Sequence, residues 1–208
     1  MDALALKLPA TLNEDELLRL PATWDEYLSV VDDAPYTVQF LNNELIIGQA
    51  TAVHETLVAM ITWLLVTSYL DQPDYQVMGS NVKIVIPGQV GDFNADVSVV
   101  KQPIVYGTTP GEKPSPVRIT NPEIVVEVLF KSTRQFDLVE KLTYYKLIPS
   151  LQHMLFVDQE RPFASVYTRT AVPDEWLNHD YRTLESVVRL GDVTLPMQDI
   201  YRKTTFGA

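Results

Sequence analysis

Two short aliphatic runs constrain this chain more than any other feature: Asn94-Ala-Asp-Val-Ser-Val-Val100 and Glu123-Ile-Val-Val-Glu-Val-Leu-Phe-Lys131. Their density of valine and isoleucine predicts strands buried on both faces. Each also has a carboxylate set into it, Asp96 in one and Glu127 in the other. A carboxylate buried in such a strand is costly unless it is paired, hydrogen-bonded or bound to a metal. Two strands of this kind side by side can hold one divalent cation between them. The pair therefore points first toward metal-dependent chemistry.

Composition narrows the alternatives. At 208 residues, 46% hydrophobic and 21% charged, the chain is long enough for one substantial globular core. The absence of cysteine excludes disulfides, thiolate zinc sites and cysteine nucleophiles, and is compatible with a reducing cytoplasm, the expected location. The N-terminus has no basic region ahead of an apolar core, so no secretory signal is expected. The most apolar segment, Leu57 to Val66, reads as too short for a bilayer, so no membrane association is expected. A formal net charge of −11 weighs against a broad nucleic-acid surface but leaves room for a local basic groove. Phosphate-binding glycine loops and a Gly-x-Ser-x-Gly elbow are missing, and three scattered histidines give no zinc spacing.

The pattern along the chain predicts an α/β order. Capping residues and acids from Thr11 to Arg19 predict a helix ended by Pro21. Thr23-Trp-Asp-Glu26 is a capping box for a second helix to about Val31. Tyr36 to Leu41 and Glu44 to Gln49 predict a hairpin turned at Asn42-Asn43. Thr51 caps a long helix over 52–70, with His54, Leu57, Val58, Ile61, Leu65 and Tyr69 on one face. Strands are predicted at 75–79, 82–86, 95–100, 123–129, 152–158, 164–170, 186–190 and 193–195. The proline-rich stretch Lys101 to Asn121 reads as a long loop, expected to carry substrate contacts. Asp137 is expected to cap a helix from Leu138 to about Ile148, closed by Pro149.

This order of hairpin, helix, strand pair, two carboxylate strands, helix and strand resembles the core of the PD-(D/E)XK nuclease superfamily. It is more closely similar to the Uma2 family of restriction-endonuclease-like proteins. The resemblance rests on Ala95-Asp96-Val97, on Val126-Glu127-Val128-Leu129 followed by Ser132-Thr133, and on Asp137 with Lys141 and Tyr145. His153 to Asp158 and His54 match it as well. Three positions depart from the family pattern. Leu129 stands where the superfamily places its lysine, Phe130 replaces the usual serine, and Gln39 replaces an acidic residue of the hairpin.

The resemblance implies one nuclease-like domain over 1–208, with its core at about 36–170. It implies a restriction-endonuclease-like fold: a mixed central sheet flanked by helices, with an N-terminal helical segment and hairpin. It also implies Mg²⁺ or Mn²⁺ held by Asp96, Glu127 and the carbonyl of Val128, and hydrolysis of phosphodiester bonds, with DNA as the expected substrate. Hard oxygen ligands suit these ions. The displaced lysine is assigned to Lys141, four residues after Asp137 and matching a family lysine. Lys131 is the runner-up, on the face of Glu127 but some 13 Å away at about 3.3 Å per residue. The bland reading of Lys141 is a surface lysine paired with Asp137 at helical spacing.

His54 reads as a buried, partnered histidine, or as a group supporting the metal site. Asp92 is a weaker ligand candidate, and Glu123 is expected at the strand mouth. His153 and His179 have no assigned role, the latter falling in a predicted polar loop. Trp24, Trp63 and Trp176 are too dispersed for a stacking platform and read as core or interface residues, consistent with an expected homodimer. The alternative function is a nuclease-fold binding or interaction module without catalysis, favoured by Gln39, Leu129 and the acidic net charge.

Overall fold

The structure is a computed structural model that describes residue 8, residues 17–108 and residues 113–207. Strands dominate it. In chain order they are β1 Leu18–Pro21, β2 Thr37–Leu41, β3 Glu44–Gly48, β4 Tyr75–Gly79, β5 Lys83–Val85, β6 Gly91–Asn94, β7 Val97–Lys101, β8 Tyr106–Thr108, β9 Pro114–Ile119, β10 Pro122–Leu129, β11 His153–Asp158, β12 Ala164–Arg169, β13 Trp176–Tyr181, β14 Val187–Leu190 and β15 Val193–Pro196. The helices are α1 Trp24–Val30, α2 Ala52–Tyr69, α3 Leu142–Tyr145 and α4 Met197–Ile200. A π-helical segment, Phe136–Lys141, runs directly into α3.

Two large mixed sheets result. A seven-stranded sheet has the order β1-β3-β2-β6-β5-β9-β8, and a six-stranded sheet the order β13-β12-β11-β10-β7-β4. Each is antiparallel except for one parallel pair, β5 with β9 and β10 with β11. The chain passes from the six-stranded sheet to the seven-stranded one after β4 and returns between β6 and β7. The return crossing is two residues long, Ala95 and Asp96. The predicted strand over 95–100 thus begins in this crossing and becomes β7 only from Val97, with Asp96 at the joint.

β10 is buried on both faces, as its aliphatic run predicts. Ile124, Val126 and Val128 pack with Leu57, Ile61 and Leu65 of α2. Val125 and Leu129 face the other way, among Phe93, Phe136, Tyr145 and Phe156. Period-two alternation puts Glu127 on this second face. It looks toward the π-helical segment rather than α2.

Local signals explain several elements. The Thr23 side chain accepts from Glu26 N at 3.2 Å and the Glu26 carboxylate accepts from Thr23 N at 2.7 Å, so the capping box opens α1. Asn42 and Asn43 take φ of 48° and 63°, which the tight turn between β2 and β3 requires. Thr51 caps α2 by accepting from His54 N at 3.2 Å. By length and composition α2 is apolar enough to cross a bilayer, unlike the shorter segment read from sequence. In this fold Leu57, Ile61 and Leu65 of that helix are buried against β7 and β10. Arg169 donates to the carbonyls of Leu151 at 2.7 Å and Ile148 at 2.7 Å, satisfying acceptors left where Pro149 stops the helix.

Four expectations are corrected. Leu18–Pro21 is a strand, the edge strand paired to β3, and not the end of a helix; the rest of that predicted helix, 11–16, lies outside the described residues. Pairing across the sheet overrides the local capping pattern there. Lys101 to Asn121 contains β8 and β9: Pro114 opens β9, and Pro116 lies in the first half of that strand, ahead of its pairing with β5 at Arg118 and Ile119, where a missing N–H is tolerated. Asp137 lies inside the π-helical segment and caps nothing. His179 belongs to β13, a strand with no aliphatic run to announce it.

Candidate active site

Asp96 and Glu127 are brought together by the register of β7 and β10. Val97 pairs with Val126, so the next step in the antiparallel ladder sets Asp96 opposite Glu127. Because Asp96 lies in the crossing, its carboxylate is free to accept from Val128 N at 2.6 Å. The N–H of Val128 thereby faces Asp96 instead of a strand, and its carbonyl shares that edge.

The third element is the π-helical segment. Its wide winding puts Asp137 and Lys141 on one face, both buried. Such segments recur at functional sites. Lys141 Nζ lies 3.0 Å from Glu127 Oε1, 3.2 Å from Asp137 Oδ1 and 3.2 Å from the Asn94 carbonyl. Tyr145 donates to the same Glu127 Oε1 at 2.6 Å. Both of these contacts end on Oε1, and Oε2 takes neither.

His54 enters from the first turn of α2. Its Nε2 lies 3.2 Å from Asp96 Oδ2, and Nδ1 is 3.4 Å from Glu55 Oε1 without hydrogen-bond geometry. The buried-histidine expectation holds, but its partner is the candidate ligand itself. Asp96 Oδ1 takes part in neither the His54 nor the Val128 contact.

Burial sets the electrostatics. It pushes the Glu127 carboxyl up to about 8 despite the neighbouring ammonium. It raises Asp137 as well. Burial alone would lower Lys141, but the carboxylates of Glu127, Asp137 and Asp96 outweigh it and hold the ammonium protonated well above its usual range. Burial likewise opposes charge on His54, yet its hydrogen bond to Asp96 and the charges of Asp96 and Glu55 raise it to about 9.

These side chains border one cavity of about 100 Å³, together with Gln39, Asn94, Val128 and Thr133. Among the described residues no group of three or more histidine, aspartate or glutamate side chains is placed to hold a metal. The donors here are two carboxylates and a backbone carbonyl. That set fits Mg²⁺ or Mn²⁺, because Mg²⁺ keeps several waters and takes only one or two protein carboxylates.

The chain matches the family Uma2, described as "Putative restriction endonuclease", over residues 24–198. It belongs to the Uma2 family. An uncharacterized protein of Synechocystis sp. is 30% identical over 135 residues, covering 64% of this chain and 73% of that protein. A crystal structure from Anabaena variabilis, described as that of "a putative nuclease belonging to DUF820", superposes with a TM-score of 0.67 at 14% identity. The likeness covers 87% of this chain and 98% of that one, and shows the shared fold.

Against the Uma2 pattern, two of the three departures, Leu129 and Gln39, have structural explanations. Leu129, where the superfamily has lysine, is a fully buried core residue. Lys141 instead delivers an ammonium to Glu127 from the following helical turn. Gln39 borders the cavity and accepts from Asn94 N at 3.1 Å, an interaction that needs no charge. Three other candidates fall away from the cavity. Lys131 is exposed in the turn after β10, because the strand ends at Leu129. Asp92 is wholly buried and bound to Arg118 Nε at 2.8 Å and Tyr27 Oη at 2.8 Å, so its charge is spent inside the seven-stranded sheet. Glu123 lies near the strand mouth, 3.5 Å from Tyr75 Oη.

Sequence reading set the Asp137–Lys141 pair against the catalytic role, whereas the structure has Lys141 on both Asp137 and Glu127, and it missed Asn94 as the lysine's carbonyl acceptor. The spacing of Asp137 and Lys141 was visible. Their joint burial against Glu127 comes from the packing of the π-helical segment and α3 on β10 through Phe136, Leu142 and Tyr145.

Proposed function

We propose that this chain is a divalent-cation-dependent endonuclease that hydrolyses phosphodiester bonds, with DNA as substrate. The observation that supports it is the convergence of Asp96, Glu127 and Lys141 on one cavity from three separate elements. Asp96 and Glu127, with the Val128 carbonyl, are the residues that would hold Mg²⁺ or Mn²⁺. A cation bound there supplies Lewis-acid polarisation of a phosphoryl oxygen and a bound water of lowered pKa.

The chain's own groups do the rest. Lys141 carries a fixed positive charge beside the position where phosphoryl charge develops, and its donors are held in place by Glu127, Asp137 and Asn94. His54 holds one oxygen of Asp96 and so fixes the carboxylate's orientation. Tyr145 does the same for Glu127.

The test is a nuclease assay on single- and double-stranded DNA with Mg²⁺ and Mn²⁺. It compares the parent with folded Asp96→Ala, Glu127→Ala and Lys141→Ala variants. Cleavage abolished by either carboxylate substitution supports the reading. Cleavage indifferent to both refutes this site. A folded parent that cleaves nothing supports the second reading, a nuclease-fold binding or interaction module without catalysis, which the uncharged Gln39, Leu129 and the net charge of −11 favour. A homodimer is part of the proposal, and sedimentation of the intact chain tests it.

A further inference from the structure

We infer that a groove beside the carboxylate cavity, with Lys83 in its wall, is a subsite for a neighbouring phosphate of the bound nucleic-acid strand. The inference rests on the nuclease reading and deepens it. The groove has a volume of about 400 Å³ and is bordered by Asp32, Pro35, Thr37, Asn81, Lys83 and Asn94 among others. Thr37 and Asn94 also border the carboxylate cavity, so the two spaces abut.

Besides His54, which is paired with Asp96, three cationic side chains are buried among the described residues: Lys83, Arg118 and Lys141. Arg118 is paired with Asp92, and Lys141 with Glu127 and Asp137. Lys83 belongs to no ion pair among the described residues. Its Nζ donates to the Val38 carbonyl at 2.8 Å and to Asn94 Oδ1 at 2.6 Å, both neutral acceptors. An ammonium has three N–H donors, so these two bonds leave one to spare. A buried charge without a counterion is costly, and an anion placed against it offsets that cost.

Burial lowers Lys83 to about 8, Asp92 and Asp32 oppose that, and Arg118 and Lys141 add to it. The lysine therefore keeps its charge at neutral pH. Asp32 is the acidic residue on the groove wall, and it is exposed, where salt screens it.

Asn94 connects the two spaces. Its backbone carbonyl accepts from Lys141 and its side-chain carbonyl from Lys83. Two ammonium groups thus flank one residue at the junction. A strand with one phosphate at the carboxylate cavity and a second in the groove meets a cation at each. In a chain of net charge −11, Lys83 is the ammonium on this path that no carboxylate among the described residues already pairs.

The test uses the intact chain and a short fluorescein-labelled single-stranded oligodeoxynucleotide, with binding followed by anisotropy over a range of salt and cleavage followed in parallel. Lys83→Gln is expected to weaken binding about tenfold, to flatten the salt dependence by about one phosphate contact, and to raise KM while leaving kcat within about twofold. Lys83→Arg is expected to retain binding. Asp32→Asn, an exposed substitution that leaves the core intact, is expected to tighten binding about threefold by removing the opposing charge. If the parent cleaves in an Asp96- and Glu127-dependent manner while these variants share its KM and salt dependence, the subsite is wrong and the nuclease reading stands. If the oligonucleotide binds through Lys83 but is never cleaved, the subsite stands and the nuclease reading fails. A folded parent that neither binds nor cleaves overturns both.

Discussion

Replacing His54 by glutamine should cost stability at low pH and almost none at high pH. Gln keeps a hydrogen-bond donor near Asp96 but carries no charge. The His54 side chain is only 10% exposed and its Nε2 is 3.2 Å from Asp96 Oδ2, so solvent screens the contact weakly. Burial opposes the imidazolium, but Asp96 and Glu55 outweigh it and raise the ring from 6.5 to about 9. At about 1.4 kcal/mol per pH unit, that preference is worth about 3 kcal/mol. Because the folded value is raised, the contribution is fully present below the unfolded value of 6.5 and is lost as pH rises through about 9. Urea unfolding of parent and His54→Gln, with chelator present, measures the difference at pH 6 and pH 10. We expect the gap to close from about 3 kcal/mol to below about 1 kcal/mol. Other titrations, Lys83 among them, occur in both proteins and cancel to first order. A loss of equal size at both pH values would refute the reasoning, since it would mean packing and not charge holds His54 to Asp96.

Three further outcomes are expected. Lys141→Met leaves Glu127 and Asp137 facing each other while buried, and should destabilise the fold by about 3–5 kcal/mol in urea unfolding; adding Glu127→Gln in the same chain should recover part of that loss, and strict additivity would contradict the pairing. Thr23→Ala removes the side-chain half of the capping box and should cost about 1 kcal/mol, read by denaturant midpoint. Gly107→Ala would place a Cβ 2.8 Å from Val85 Cγ2 and 3.2 Å from Arg118 Cβ, and should lower stability by about 1–3 kcal/mol; a thermal midpoint equal to the parent's would show that β8 moves aside freely.

The features that local chemistry encodes were legible residue by residue. The capping box at Thr23 and Glu26 and the Thr51 cap depend on side chains reaching backbone three residues away, and the turn at Asn42-Asn43 on the positive φ that asparagine tolerates. The double-sided burial of β10 followed from its aliphatic run. The carboxylates stood out because they interrupt such runs, and the family resemblance placed Lys141 near them despite Leu129. The edge strand β1 and the strands β8 and β9 were not legible. β1 pairs with β3, well along the chain, and β8 and β9 pair with each other and through β9 with β5, while the prolines between Pro103 and Pro116 read locally as loop. Asp92 illustrates the same limit. Nothing near it in sequence announces Arg118 or Tyr27, the partners that consume its charge.

What the sequence by itself determined, then, is the set of strands, caps and turns that short-range sterics and hydrogen bonding dictate, and the presence of carboxylates where burial makes them expensive. Only the tertiary structure decided what those carboxylates meet. The crossing of the chain between sheets at Ala95-Asp96 frees one acid from its ladder. The β7–β10 register sets the other opposite it, and the packing of the π-helical segment on β10 turns Lys141 and Asp137 inward. The physical reason is range. Backbone geometry is set by neighbours along the chain, whereas the charge state and role of a buried group are set by whichever groups, from any part of the chain, are packed within a few ångströms of it.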